Sequence, residues 1–227
     1  MRLESGASHT FNTYDAQGNY VTNVKDPLGN LVSSTYDGAG NQTSVKDAKG
    51  KTTSFLYDAL NRLTKVTDAK LSVTSYGYDA VGNRTSVTDA KNNVTRYDYN
   101  ELNQVSAFTN ALNQTVRFGY DKNGNTTKII FPKGDAVSYS HNALNRLDGV
   151  AYNGAKQWGF AYDANGNLTT VTDGAGNATR SMTYDKNGRL TQQTEGAANK
   201  IQYGFDDNSN LCHSHCWNEL SYHRLRI

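Results

Sequence analysis

Long apolar runs are missing from this sequence of 227 residues; the longest is Ile129-Ile130-Phe131. A membrane-spanning helix needs ~20 consecutive apolar residues, so none is expected. The opening residues MRLESGASHTF lack an apolar h-region, which argues against Sec export in this form and leaves routes without such a signal open. Charge of one sign is missing too. Twenty-three Lys and Arg face twenty-one Asp and Glu, a formal net charge of +2 with both signs scattered, so neither nucleic acid nor an anionic membrane is favoured as a partner. Leu, Ile, Val and Phe number only 41 of the 227 residues, a share low enough to raise the question of disorder. The near-zero net charge answers it, and fifteen tyrosines supply large apolar bodies with one polar tip. Catalytic signatures are absent as well: there is no G-x-S-x-G, H-E-x-x-H, P-loop or G-x-G-x-x-G context, so the expectation is no enzyme, no cofactor and no metal.

What the chain has is repetition. YDALNRLTKVTDAKLSVTSYG at 57–77 is followed directly by YDAVGNRTSVTDAKNNVTRYD at 78–98. Tyr-Asp, or a close substitute, begins at Tyr14, Tyr36, Tyr57, Tyr78, Tyr99, Tyr120, His141, Tyr162, Tyr184 and Phe205, at intervals of 21 or 22 residues. A period in this range is the mark of a stacked array. Each unit holds two turn signals, one directly after the pair (DGAGN at 37–41, DAVGN at 79–83) and one about ten residues later (DPLGN at 26–30, DAKGK at 47–51). Asp can accept hydrogen bonds from the backbone just ahead of it, and Gly or Asn supplies the positive φ a hairpin needs. Both prolines, Pro27 and Pro132, fall in turns of the second kind, where a missing N–H harms no ladder.

Between the turns the pattern alternates with period two, as in strands. Phe55, Tyr76, Tyr97, Phe118, Tyr139, Phe160, Met182 and Tyr203 share a face with the tyrosines of the pairs, and Val45, Val66, Val87, Phe108, Ile129, Val150 and Val171 join them from the return strand. Ser54, Ser75, Arg96, Arg117, Ser138 and Gln202 line the other face. With strands about 4.8 Å apart, equivalent positions recur every ~9.6 Å, giving an expected ladder of Tyr, Val, Tyr, Val. The expected fold is all-β: tandem hairpins in a long curved antiparallel sheet, aromatic face concave. The array spans 14–210, after a partial leading repeat at 1–13 and before an atypical tail at 211–227.

The motifs YDAxGN, YDALNRL and VTDAxGN resemble the YD repeats of the Rhs family, which includes bacterial Rhs proteins, wall-associated proteins, insecticidal toxin-complex components and teneurins. The resemblance covers about 14–210. It implies a spiralling β-sheet shell that encloses a toxic cargo polypeptide, with nothing catalytic in the repeats. Its expected partners are a C-terminal toxin or further Rhs repeats, and its expected location is secreted or at a bacterial cell surface. The family's closing DPxG-type self-cleavage segment has no counterpart after the last repeat, and the DPLG at 26–29 is a mid-array turn. The chain reads as a length cut from a larger array. A second reading, from the tyrosine ladders alone, is a carbohydrate-binding or adhesion module. Open edges and an unlidded apolar face predict self-association in isolation.

Candidate chemistry elsewhere is sparse. Asp15, Asp37, Asp58, Asp79, Asp121, Asp163 and Asp185 recur once per repeat, which suits turn formation and not a catalytic dyad, whose two carboxyls differ in environment. Calcium would need many clustered oxygens, and the GGxGxDxUx nonapeptide is absent. His141, in a tyrosine's place, reads as a half-buried ring. The tail LCHSHCWNELSYHRLRI offers Cys212, His213, His215, Cys216 and His223, enough for zinc in principle. Neighbours on a strand point to opposite faces, so these residues converge only in a special loop. A Cys212–Cys216 disulfide requires the segment to turn.

Overall fold

The computed structural model describes residues 9–196, 199–206, 208–218 and 221–223, with backbone only beyond Leu211. Every regular element is a β-strand, and no helix occurs among the described residues. The chain divides into two units, Met1–Gln114 and Thr115–Ile227. The first contains β1 (Phe11–Tyr14), β2 (Val21–Lys25), β3 (Leu31–Tyr36), β4 (Gln42–Lys46), β5 (Thr52–Tyr57), β6 (Leu63–Thr67), β7 (Val73–Tyr78), β8 (Arg84–Thr88), β9 (Val94–Tyr99) and β10 (Val105–Thr109). The second contains β11 (Thr115–Tyr120), β12 (Thr126–Ile130), β13 (Ala136–His141), β14 (Leu147–Tyr152), β15 (Ala155–Tyr162), β16 (Leu168–Asp173), β17 (Ala178–Tyr184), β18 (Leu190–Glu195), β19 (Asn199–Phe205), β20 (Leu211–Asn218) and β21 (Ser221–His223). Among the described residues of each unit, every strand packs only against the strands before and after it in the chain. Each unit is therefore one antiparallel layer of consecutive hairpins, the tandem arrangement that the 21-residue period predicts.

The turns form as the Asp and Gly spacing dictates. In 37–41 the Gly40 N–H donates to the Asp37 carbonyl at 3.1 Å, and the Asp37 N–H donates to the Asn41 carbonyl at 2.9 Å. Asp37 Oδ1 accepts from the N–H groups of Ala39 and Asn41, while Oδ2 accepts from Asn41 Nδ2. Gly40 closes the turn at φ 88°, the left-handed position that follows a β-turn in a three-residue hairpin connection. Asn61, Asn103 and Asn145 fill the same place at φ 59°. Each can adopt that conformation because its short polar side chain bonds locally. Asn100, Asn110 and Asn142 replace the leading Asp and accept the same pair of backbone N–H bonds through Oδ1. The β14–β15 hairpin departs from the pattern. Its connection shrinks to Asn153-Gly154, with φ 47° and 82°, and an Asn-Gly pair is the preferred two-residue hairpin turn.

A bulge recurs directly before the tyrosine of each pair. Thr35 lies opposite Ser44 and Tyr36 opposite Gln42, so Thr43 has no counterpart across the ladder. The same slip occurs at Leu56/Tyr57, Gly77/Tyr78, Ser140/His141, Ala161/Tyr162 and Thr183/Tyr184. An extra residue on one strand bends it and increases the local twist. The extra residue is often threonine, whose hydroxyl donates back across the ladder: Thr64 to the Leu56 carbonyl, Thr169 to Ala161 and Thr191 to Thr183, each at 3.1 Å.

The tail does not turn where a Cys212–Cys216 bridge would need it to. The backbone from Leu211 to Asn218 is one strand paired to β19, with Ile201 opposite Cys216 and Gln202 opposite His215. Residues four apart on a strand are separated by about 13 Å, twice the reach of a disulfide. The side chains of Cys212, His213, His215, Cys216 and His223 lie outside the described residues.

Two predictions follow from the turns. Leu71 sits at φ 66°, 81% exposed, where sibling turns carry Gly or Asn. A bulky side chain there costs about 1–2 kcal/mol. Leu71→Gly is therefore expected to slow amide exchange in β6 and β7 roughly fivefold or more, corresponding to at least ~1 kcal/mol. The second concerns acid. Asp26, Asp37, Asp79, Asp89, Asp121, Asp163, Asp173 and Asp206 are held below the usual carboxylate range chiefly by side-chain donation from the Asn four residues on. Asp58, Asp68 and Asp185 are lowered chiefly by a backbone N–H. Depressed folded values mean that the unfolded chain binds more protons in acid. Stability is then full above the ordinary aspartate value of 3.8 and is lost as pH falls through the lowered folded values. Thermal midpoints should stay flat from neutrality to about pH 5 and fall below about pH 4. Asp89→Asn, copying Asn110, should flatten that acid slope and leave the neutral midpoint nearly unchanged.

Candidate functional site: the aromatic face

The aromatic face forms as the alternation predicts, with one correction to its geometry. Phe55 lies directly opposite Val66, Tyr76 opposite Val87, Tyr97 opposite Phe108, Phe118 opposite Ile129, Tyr139 opposite Val150 and Phe160 opposite Val171. Between hairpins, however, Val45 faces Thr53, Val66 faces Thr74 and Val87 faces Thr95. The aromatic of each hairpin is thus shifted by two residues from the valine before it. The expected straight Tyr, Val, Tyr, Val ladder is a staggered one, because the turn at 47–51 and its siblings set Val45 opposite Thr53 and not opposite Phe55.

The stagger gives the tyrosine of each pair its task. Tyr36 donates its hydroxyl to the Val21 carbonyl at 3.1 Å, Tyr57 to Gln42 at 3.1 Å, Tyr78 to Leu63 at 2.8 Å and Tyr99 to Arg84 at 2.9 Å. In the second unit Tyr162 reaches the Leu147 carbonyl and Tyr184 that of Leu168, each at 2.8 Å. Every acceptor is the first residue of the preceding hairpin's return strand. The ring covers that hairpin's apolar face and its tip fastens the two together.

The turns add a second seam. Arg62 pairs with Asp58 of its own turn at 2.7 Å, donates to the Asp79 carbonyl of the next turn at 2.9 Å, and lies 4.7 Å over the Tyr78 ring. Arg189 repeats this with Asp185, Asp206 and Phe205. Where the turn ends in Asn, the link runs through amides: Asn41 to Asn61 and Asn83 to Asn103, each at 2.8 Å, and Asn125 to Asn145 at 3.0 Å. The Asn at the left-handed position thus serves both its own turn and its neighbour's.

Coverage of the face is incomplete. Among the described residues the only buried apolar side chains are Ala107 and Met182. Phe55, Val66, Tyr76, Val87, Tyr97, Phe118, Tyr139 and Phe160 are half-buried, and Trp158 beside them is exposed. The recurring aspartates are spent on backbone and side-chain donors of their own turns, and no group of three or more His, Cys, Asp or Glu among the described residues is placed to hold a metal. The arrangement offers a repeating apolar and aromatic surface.

His141 and Asn142, the one "HN" in the array, mark a defect. His141 Nδ1 is buried without a hydrogen-bond partner, and so is Arg146 Nε, whose counterpart in Arg62 is bound by Asp58. Arg146 still lies 4.7 Å over Tyr162 and donates to the Asp163 carbonyl. Asn142→Asp should satisfy Arg146, and His141→Tyr should place a hydroxyl near the first residue of β12. Each is expected to raise the stability of the second unit by about 1 kcal/mol, read from amide exchange in β12 to β14. Tyr57→Phe should lower it in β3 to β6 by a similar amount.

Comparisons with known proteins point the same way as this geometry. The sequence model of the teneurin YD-shell matches residues 8–140, and the RHS repeat matches 150–179 and 162–200. The tRNA nuclease WapA of Bacillus subtilis (strain 168) is 48% identical over 44 residues, 19% of this chain and 2% of that protein. Among solved structures, the TcdB2-TccC3-Cdc42 complex superposes with a TM-score of 0.56 over 94% of this chain and 14% of that one, at 14% identity. The Photorhabdus luminescens Tc holotoxin pore gives 0.55 over 91% of this chain and 13% of that one, at 13% identity. The chain spans a small fraction of the length of each of these proteins, and at such identities the structures speak to the fold alone. With the YD-shell pattern matched over more than half its length, the chain belongs to the YD-shell family of RHS-repeat proteins.

Proposed function

We propose that the chain is a non-catalytic wall segment of an RHS-type shell, its aromatic face turned toward an enclosed cargo polypeptide. The observation that carries this reading is the single layer. Among the described residues of each unit no second layer packs on the row containing Phe55, Tyr76, Tyr97, Phe118, Tyr139 and Phe160, so that row lies half-exposed. A wall whose inner surface is apolar favours an unfolded polypeptide by removing its apolar groups from water, without recognising a particular sequence. The Photorhabdus luminescens Tc holotoxin pore, which shares the fold, is a toxin assembly, which supports an extracellular role and a polypeptide partner. The carbohydrate-platform reading draws less support, because the rings of Tyr78, Tyr97 and Tyr162 already carry a guanidinium. The uncovered face also supports self-association of the isolated chain.

The test is binding of a reduced, carboxymethylated protein that cannot fold. The full chain should bind it with saturation and protect it from protease. A Phe55→Ser, Tyr76→Ser variant should bind at least tenfold more weakly, given ~1.5–3 kcal/mol for each side chain buried, while Arg96→Ala on the opposite face should not. No binding to the unfolded probe, or binding to glycans alone, would overturn the reading.

A further inference from the structure

On the polar face of the second unit, opposite the aromatic row, the repeat departs from its own pattern at neighbouring places on β14 and β15. The residue opposite Ser140 is Gly149, where sibling hairpins carry Ser44, Lys65, Ser86 and Lys128. Gly149 in turn faces Gly159, where the siblings carry Ser54, Ser75, Arg96 and Ser138. The extra residue of the bulge is Asp148, where Thr43, Thr64, Thr127 and Thr169 stand elsewhere. Turns and ladders ask for the same residue types in every repeat. Departures that meet in space therefore serve something other than the array.

What they build is an open depression of about 360 Å³, lined by Ser138, Ser140, Asp148, Gly149, Ala151 and Lys156, at the lower end of the range for small-ligand sites. A Cβ at Gly149 would stand 2.6 Å from Ser140 Oγ, and one at Gly159 would stand 2.9 Å from Lys156 Nζ. The hydroxyl and the ammonium thus lie over bare backbone, in space that sibling side chains fill. Ser140 donates its hydroxyl to Asp148 Oδ1. Asp148 Oδ2 and the Lys156 ammonium have no hydrogen-bond or ion-pair partner among the described residues. A carboxylate and an ammonium that line one cavity without pairing leave room for a molecule carrying both complementary charges.

We infer that this depression binds a small zwitterion, a free α-amino acid. The ligand's ammonium donates to Asp148 Oδ2, and its carboxylate accepts from the Lys156 ammonium. Hydrogen bonds with both partners charged are about twice as strong as neutral ones, so two of them can hold a ligand in an open site. The site lies on the face opposite the aromatic row and does not depend on the enclosure reading.

The experiment titrates free glycine into the full chain and follows saturation-transfer NMR signals of the ligand. Glycine should bind with saturation, with a Kd on the order of 1 mM. Glycinamide keeps only the ammonium and N-acetylglycine only the carboxylate, and each should bind about tenfold more weakly. Asp148→Asn should weaken glycine about tenfold and leave N-acetylglycine unchanged, whereas Lys156→Met should weaken glycine equally and leave glycinamide unchanged. Neither residue is buried, so both variants are expected to fold. Gly159→Ser, which writes the sibling residue beneath the ammonium, should also weaken glycine. The inference is overturned if glycine does not bind with saturation or if either blocked derivative binds as tightly as glycine. It is equally overturned if D-glucose binds in glycine's place, or if Asp148→Asn and Lys156→Met leave the glycine affinity unchanged.

Discussion

The hydrogen bond from the YD tyrosines Tyr36, Tyr57, Tyr78, Tyr99, Tyr162 and Tyr184 to the start of the preceding return strand is the constraint on which the rest of the array depends. A hairpin alone is marginal in water, and a single layer has no second sheet to bury its face. The tyrosine answers both needs at once, because its ring lies on the previous hairpin and its hydroxyl fixes how far along that hairpin it lies. The turn between hairpins makes this reach available, since it sets each aromatic two residues along from the valine before it.

Function follows from what this economy leaves uncovered. The turns consume their aspartates, asparagines and arginines in holding neighbours together, so little polar chemistry remains for a reaction centre among the described residues. The apolar face is only half-covered by the array itself and can be completed from outside. The fold thus separates two kinds of interaction. Polar groups at the turns fix one hairpin to the next with defined geometry, and apolar groups on the face stay partly uncovered.

Much of this was legible from the chain's own spelling. The period, the place of each turn, the Asp and Gly roles, and the direct pairs Phe55–Val66 and Phe118–Ile129 all follow from local rules, because strand alternation and turn chemistry are decided within a few residues. The bulge was not legible, since its marker, Thr about seven residues after the tyrosine, is also an ordinary strand residue. The hydroxyl acceptor escaped for a different reason: it lies fifteen residues back and depends on the summed register of three strands. Arg62 and Arg146 could have been suspected from the recurrence of Arg after Asn in the LNR turns, but their stacking on the next tyrosine depends on the stagger. The tail's cysteines and histidines are foreign to the repeat, and the backbone of β20 pairs with β19 as any return strand would.

The stagger between hairpins is the point at which the account is most directly exposed, and disulfide trapping reads it. In a chain with Cys212→Ser and Cys216→Ser, the pair Val45→Cys with Thr53→Cys should oxidise readily, because directly opposed strand residues have Cα atoms within disulfide reach. The pair Val45→Cys with Phe55→Cys, set on a diagonal, should not. Preferential closure of the second pair would show a straight aromatic ladder, and the tyrosine hydroxyl would lose both its acceptor and its part in holding the array together.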